Sequence, residues 1–207
     1  MSKLFYLQDS RSYVGTNVSF WRKKGNGYAC RLDELETYTL EEAQRQHNCR
    51  ETDIPLLKSL VDELSIASVD HQLLPESGTV DENGEYVVQK KGVWNGNDIL
   101  FIGPYGDTFN YSLAGVFSFD EVRKHFLDSN SYKAFSKAAI DKIARRTFQK
   151  EKIDKQKMII TPGIKLVKPK KRRPTSGKHR GNCPTCGRIT WDYNPHENAY
   201  CSRCSAI

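Results

Sequence analysis

The chain has 207 residues, of which 38% are hydrophobic and 11% aromatic, and it carries a formal net charge of +7. This composition is typical of one or two globular domains and argues against a disordered chain. No apolar run approaches the roughly 18 residues that a membrane-spanning helix needs. The N-terminus lacks the long apolar region of a signal peptide and reaches an acid at Asp9. We therefore expect a cytoplasmic protein without a membrane partner.

The charge is distributed unevenly along the chain. Residues 1–141 contain 15 Lys and Arg against 21 Asp and Glu, whereas residues 142–180 contain 15 against 2. Residues 181–207 contain 2 of each sign. This pattern predicts a mildly acidic body, a strongly basic arm and a neutral C-terminal module. We place the limits of the body at 1–150, of the arm at 151–180 and of the module at 181–207.

Short strands and turns dominate the first 50 residues. Gly25-Asn26-Gly27 lies between the aromatic residues Trp21 and Tyr28, which indicates a hairpin. Thr39 and Glu42 have the spacing of a capping box, in which each side chain accepts a hydrogen bond from the other residue's amide. A helix over about 40–48 is predicted to follow.

A similar arrangement recurs from Asn97 onward. Two apolar or aromatic strands with a glycine turn precede Ser118 and Glu121, which correspond to the capping residues of the first helix, and Phe101 corresponds to Trp21. We interpret 17–48 and 97–126 as copies of one β-hairpin–helix unit. The alternative is two ordinary capped helices that follow ordinary hairpins. The predicted fold class is α+β: an antiparallel sheet built from the duplicated unit, with helices packed on it.

Two further helices are predicted outside these copies. Asp53 and Pro55 have the character of a cap and a first turn, and a leucine-rich stripe continues to Leu64. Serine and asparagine caps at 129–131 and the apolar spacing that follows predict a C-terminal helix over 132–150. Beyond it, prolines and like charges oppose a packed structure in the arm.

The last 27 residues contain two Cys-x-x-Cys pairs, Cys183 with Cys186 and Cys201 with Cys204. This spacing lets each turn direct two thiolates at one ion, so that two turns complete a tetrahedral Cys₄ site. Two disulfides are the alternative, but they require an oxidising compartment. We predict a zinc ribbon with one structural Zn²⁺, whose folding depends on the metal because the segment has few apolar residues.

A basic arm next to a zinc ribbon predicts contact with DNA or RNA, because Lys and Arg release counterions from phosphates. Tyr193, at the tip of the predicted hairpin 189–200, is the candidate for stacking on a base, whereas Trp191 and Tyr200 are expected to pack the ribbon's small core. The candidate nucleic-acid-binding residues are Lys168, Lys170, Lys171, Arg172, Arg173, Lys178, Arg180, Arg188, Tyr193 and Arg203.

No catalytic motif is present in the sequence. It contains no phosphate-binding loop, no Gly-x-Ser-x-Gly and no His-Glu-x-x-His, and Asp70-His71 is only a weak candidate for chemistry. We expect a protein that is not an enzyme and has no small-molecule substrate.

The N-terminal part carries a resemblance. The opening from Phe5 to Gly15 and the run from Gly27 to Ala43 resemble small accessory proteins of bacteriophages and prophages, a group without a defined reaction. The resemblance implies a setting, the cytoplasm of a phage-infected bacterium. The leading hypothesis is therefore a non-enzymatic phage zinc-ribbon adaptor that binds nucleic acid or a nucleoprotein complex. The alternative is an inhibitor that contacts a host defence or transcription complex through protein alone.

Overall fold

The computed structural model describes residues 3–75, 83–126, 129–167, 177–194 and 200–205. The chain divides into two compact units, residues 1–168 and residues 169–207, called the first and second unit below. The fold is α+β with antiparallel sheets, as the sequence predicts. Among the helices of the described residues, none is long and apolar enough to cross a membrane.

The first sheet is organised around one long strand, β1. It pairs antiparallel with the strand that follows it, with a short strand before the first helix and with the strand after that helix. The elements are β1 (Leu4–Val14), β2 (Asn17–Trp21), β3 (Tyr28–Ala29, paired with β2), β4 (Tyr38–Thr39), α1 (Leu40–Cys49), β5 (Asp53–Leu57), α2 (Lys58–Glu63) and β6 (Ile66–Ser68).

The second sheet is organised in the same way around β7. This strand pairs antiparallel with β8, β9 and β10. The elements are β7 (Glu85–Asn95), β8 (Asp98–Phe101), β9 (Val116–Ser118), α3 (Phe119–His125), β10 (Tyr132–Ser136), α4 (Lys137–Ile143) and β11 (Arg145–Thr147).

Both capping boxes are confirmed. The Thr39 amide donates to the Glu42 carboxylate at 2.9 Å, and the Glu42 amide donates to the Thr39 hydroxyl at 3.3 Å. At α3 the Ser118 amide donates to Glu121 at 2.7 Å, and the Glu121 amide donates back at 3.4 Å. The amide hydrogen bond lowers the pKa of each glutamate, because it stabilises the ionised carboxylate. Each box fixes the residue at which its helix begins.

The two sheets are joined by β6 and β11, which pair antiparallel. Next to this pairing, the amide of Val18 donates to Phe148 at 2.9 Å and the amide of Ile99 donates to Val69 at 3.0 Å. Each sheet has its own apolar core. Fully buried residues of the first core include Phe5, Phe20 and Phe148, and those of the second include Phe101 and Phe135. Both sheets therefore belong to one folded unit.

The shared order of strands and capped helices extends over residues 4–68 and 85–147. Within it, Phe20 pairs with Gln8 as Phe101 pairs with Gln89, so Phe101 corresponds to Phe20 and the predicted match with Trp21 is one residue out of register. The duplicated unit over 17–48 and 97–126 stays a prediction. Two ordinary capped segments that follow hairpins would also show this order.

Two predicted helices are wrong in extent. The predicted helix over 132–150 is replaced by β10, the short helix α4 and β11. The predicted helix from Asp53 begins at Lys58 instead, after the strand β5. In both places the apolar spacing fits a helix, but β1 and β7 each offer an edge of unpaired backbone groups, and strand pairing satisfies those groups on both sides.

The first unit extends beyond the predicted body. After a 3₁₀ turn at 150–152, a π-helical turn (Gln156–Ile160) places Met158 and Ile159 in the first core, and Ile164 is also buried. The His47 ring accepts a hydrogen bond from the amide of Val167 at 3.1 Å. Residues 151–167 are thus packed rather than part of a free arm. Residues 1–168 contain 24 Lys and Arg against 23 Asp and Glu, so the first unit is close to neutral rather than acidic.

Candidate metal centre

A β-hairpin forms the base of the second unit. β12 (His179–Asn182) pairs antiparallel with β13 (Ile189–Asp192), with Arg180 opposite Trp191 and Asn182 opposite Ile189. The connection between these strands contains the first cysteine pair. Its ends are joined where the Cys183 amide donates to the Arg188 carbonyl at 2.7 Å. The hairpin therefore fixes the first two thiols by backbone hydrogen bonds.

Each cysteine pair lies in a tight turn of the same kind. The amide of Gly187 donates to the Cys183 carbonyl at 2.8 Å, and the amide of Ser205 donates to the Cys201 carbonyl at 2.9 Å. Gly187 has a φ of 70°, in the left-handed region that a residue without Cβ adopts without strain. In both turns the amide four residues after the first cysteine closes the loop, which leaves the thiols free to point at a common centre.

The four thiols converge on one point. The sulfur atoms of Cys183, Cys186, Cys201 and Cys204 all lie within 4.8 Å of one another, and those of Cys186 and Cys201 are 3.5 Å apart. All four are free thiols. Sulfur atoms bound to one zinc ion at about 2.3 Å stand roughly 3.8 Å apart at the corners of a tetrahedron. The four cysteines are thus positioned to bind one metal ion.

The electrostatics of the cluster favour a cation at its centre. Hydrogen bonding, chiefly from the backbone of Cys201, lowers the pKa of the Cys183 thiol to about 6. Hydrogen bonds with Cys186 and Cys201 raise the pKa of the Cys204 thiol to about 12. The neighbouring thiolates make a further negative charge costly there, and a bound dication removes that cost because it attracts every thiolate.

The limits of the ribbon differ from the prediction. Residues 179 and 180, predicted to end the basic arm, instead begin the ribbon as part of β12 (His179–Asn182). The predicted strand around Trp191 is present as β13, and it pairs with β12. Residue 199 of its predicted partner strand lies outside the described residues. The hairpin therefore encloses the first cysteine pair and does not connect the two pairs. His179 is exposed on β12 and is not among the clustered ligands, and His196 lies outside the described residues.

The predicted nucleic-acid-binding residues fall into two sets. Lys168, Lys170, Lys171, Arg172 and Arg173 lie outside the described residues. Lys178, Arg180, Arg188, Tyr193 and Arg203 are described, and all five side chains are exposed. The only acid among the described residues of the second unit, Asp192, is half-buried.

The predicted burial of two aromatic residues of the second unit is wrong. Trp191 is 57% exposed and Tyr200 is 59% exposed, so neither packs a core, and Tyr193 is 69% exposed. Tyr193 also lies at the open end of the β12–β13 hairpin rather than at its tip, with the Lys178 ammonium 5.2 Å from its ring centroid. Thr190 is the buried residue of β13, so Ile189 and Trp191 lie on the other face. Strand alternation predicts that these two side chains share a face, but it does not predict that the shared face is the exposed one.

Asp70 and His71 have structural partners in the first unit. Asp70 accepts from the amide of Gln72 at 3.0 Å and forms an ion pair with Arg145 at 2.9 Å. His71 Nδ1 lies 3.0 Å from the Asn97 carbonyl. These contacts account for both side chains as parts of the fold.

Comparisons with known proteins do not identify a family for this chain. No protein-family model, curated protein or solved structure matches the chain. The clustered cysteines and the exposed side chains of the β12–β13 hairpin are therefore the features of this chain that bear on its function.

Proposed function

We propose that this chain is a non-enzymatic zinc-ribbon adaptor that binds nucleic acid through its second unit. The observation that carries the proposal is the surface of the second unit, where Lys178, Arg180 and Arg188 of the hairpin segment and Arg203 of the second cysteine turn are all exposed. The first unit would then hold a partner protein or a nucleoprotein complex.

Zinc is the ion that best fits the four clustered cysteines. Thiolate ligands in a tetrahedral arrangement select zinc or iron–sulfur chemistry over magnesium, calcium and manganese. Structural zinc sites take four protein ligands, and this cluster supplies four. Such an ion has no open position for a substrate, which supports a structural rather than a catalytic role for the metal.

The distribution of charge supports contact with phosphates. Residues 169–207 contain 8 Lys and Arg against 2 Asp and Glu, whereas residues 1–168 are nearly balanced. Each phosphate contact releases counterions, so a positive unit of this kind binds nucleic acid with an affinity that falls as salt rises. We further propose that the adaptor acts in a phage-infected bacterium, because the first 50 residues resemble small accessory proteins of bacteriophages and prophages.

The alternative function, inhibition of a host defence or transcription complex, is favoured by a different observation. Ile189 is 54% exposed beside Trp191 on the outer face of β13. An exposed aliphatic and an aromatic side chain on one strand also suit a protein-docking surface. The two functions differ in whether the exposed basic residues contribute to the binding affinity: a nucleic-acid adaptor needs them, and an inhibitor that binds through protein contacts does not.

Anisotropy titrations of the full-length zinc protein with labelled DNA and RNA, at several salt concentrations, test the proposal. Replacing Lys178, Arg180, Arg188 and Arg203 by glutamine should reduce the slope of log K against log[salt] by about 3 units. A matched variant with four exposed basic residues of the first unit replaced, Lys24, Lys91, Arg123 and Lys124, should keep the wild-type slope. A wild-type protein that binds neither DNA nor RNA at low salt would refute the proposal and favour the inhibitor.

A further inference from the structure

The outer face of the β12–β13 hairpin combines aromatic and basic side chains. Residues directly opposite each other in an antiparallel pair lie on the same face, so Arg180 lies beside Trp191. Ile189 and Asn182 form the neighbouring pair on that face, and Thr190 lies on the other, covered face. The indole is thus presented to solvent next to a guanidinium.

A second aromatic group of this kind lies at the open end of the hairpin. Tyr193 is 69% exposed, and the Lys178 ammonium lies 5.2 Å from its ring centroid. A Cβ added to Gly177 would stand 3.8 Å from the same ring, so the chain at 177–178 passes close to it. The tyrosine and the tryptophan therefore each have a cation beside them.

All three aromatic residues of the second unit, Trp191, Tyr193 and Tyr200, are more than half exposed. In a small unit with few apolar residues, burial of these rings would be the largest available hydrophobic stabilisation. A single exposed ring is ordinary, but three exposed rings in one small unit, two of them beside basic side chains, mark a contact surface.

We propose that this surface binds single-stranded nucleic acid, with Trp191 and Tyr193 stacking on unpaired bases while Arg180 and Lys178 contact the adjacent phosphates. The inference rests on the proposed function and specifies its ligand. In a duplex the base faces are covered by neighbouring base pairs, so a protein ring gains stacking only where bases are unpaired. The basic residues can contact the phosphates of both duplex and single-stranded nucleic acid, whereas the aromatic rings can stack only on the unpaired bases of a single strand.

Anisotropy titrations with the full-length zinc protein separate these contributions. The probes are a 20-nucleotide oligothymidine, a 20-nucleotide oligouridine and a 20-base-pair duplex, all at one low salt concentration. We expect tighter binding to a single strand than to the duplex. Trp191→Ala should weaken single-strand binding about tenfold and change duplex binding by less than about twofold. Tyr193→Ala should act in the same direction, and Trp191→Phe, which retains a ring, should restore most of the affinity.

Two controls distinguish the loss of a stacking ring from the unfolding of the zinc ribbon. Tyr105→Ala removes the fully exposed tyrosine of the first unit and should leave every affinity unchanged. Zinc content measured on each variant reports whether the ribbon is intact. Equal losses on single strand and duplex, or no loss in Trp191→Ala, would overturn the inference and leave the proposed function in place. Failure of every probe to bind would overturn both. Whether oligothymidine or oligouridine binds more tightly identifies DNA or RNA as the source of the single strand.

Discussion

At the scale of single residues, the four clustered cysteines are the side chains on which we expect the folding of the second unit to depend. Their sulfur atoms lie within 4.8 Å of one another, and the surrounding turns are closed by only a few backbone hydrogen bonds. Because the described residues of this unit bury few apolar side chains, we expect the free energy of metal binding to supply most of its folding free energy.

Substitution of a ligand tests this dependence. The wild-type protein should carry one zinc ion per chain, and Cys183→Ser or Cys204→Ser should release it and unfold the second unit, because a neutral hydroxyl is a poor ligand for zinc. Cys49→Ser, which changes an exposed free thiol of the first unit, should retain the metal. Elemental analysis and circular dichroism measure both effects. A wild-type protein purified under reducing conditions without zinc would contradict the assignment.

A single tyrosine gives the first unit a predictable response to alkaline pH. Burial and the hydrogen bond that its hydroxyl donates to Asp141 raise the pKa of Tyr111 above the ordinary value of 10.0. As pH rises past about 10, the unfolded chain therefore loses this proton before the folded chain does. The free energy of unfolding should fall over that range.

Urea unfolding at a series of pH values above and below about 10 measures this fall. Tyr111→Phe should make the decline shallower, since it removes one of the groups that cause it. Tyr105→Phe changes a fully exposed tyrosine and should leave the decline as it is in the wild type. Identical pH dependences for the Tyr111→Phe and wild-type proteins would show that this tyrosine does not contribute.

At the scale of elements, the junction between the two sheets depends on a buried ion-pair network. Arg145 of β11 contacts Asp70 and Asp98 at 2.9 Å each, and its side chain is 15% exposed while the two carboxylates are 8% and 2% exposed. Asp98 also accepts a hydrogen bond from Asn17 of β2. The guanidinium is thus the cation that compensates two buried carboxylates.

Replacement of Arg145 leaves those carboxylates without their partner. Arg145→Met should destabilise the first unit by about 3–5 kcal/mol, as expected when one partner of a buried pair is removed. The adjacent Arg146 provides a matched control, because it pairs with Asp33 and Asp62 but its side chain is 46% exposed. Arg146→Met should cost less than about 1 kcal/mol. Chemical denaturation measures both values, and equal costs would show that burial does not matter at this junction.

At the scale of the whole molecule, the boundary between the units lies near residue 168. The segment that precedes it is held to α1: the side chain of Gln44 accepts from the Lys165 amide at 2.7 Å and donates to the Lys165 carbonyl at 3.0 Å. With Ile164 buried in the first core, this segment is an integral part of the first unit.

Truncation tests where the first unit ends. A chain of residues 1–168 should fold with a cooperative melting transition, because it keeps both apolar cores and the strands that join them. A chain of residues 1–150 should melt at a clearly lower temperature, because it loses Met158, Ile159 and Ile164 from the first core. Differential scanning calorimetry compares the two. Equal melting temperatures would place the boundary at the predicted residue 150 instead.

The sequence by itself determined the features that depend on local chemistry. The two capping boxes follow from residues three apart, and the metal-binding cysteines follow from paired thiols two residues apart, so no distant part of the chain is needed to recognise them. The α+β class follows from hairpin turns and capped helices of the same local kind.

Only the tertiary structure decided which segments became strands and which aromatic rings stayed in water. Residues 132–136 have helical apolar spacing, yet they pair with β7, because a distant strand offers backbone groups that this segment satisfies. Residues 151–167 are basic, yet they bury three apolar side chains, Met158, Ile159 and Ile164, in the first core. Trp191 is an aromatic residue that core packing would ordinarily bury, but its register opposite Arg180 places it on the open face. Strand formation, core packing and ring exposure each depend here on contacts with a segment that is distant in the sequence or on a neighbouring strand. Local residue patterns do not specify those contacts.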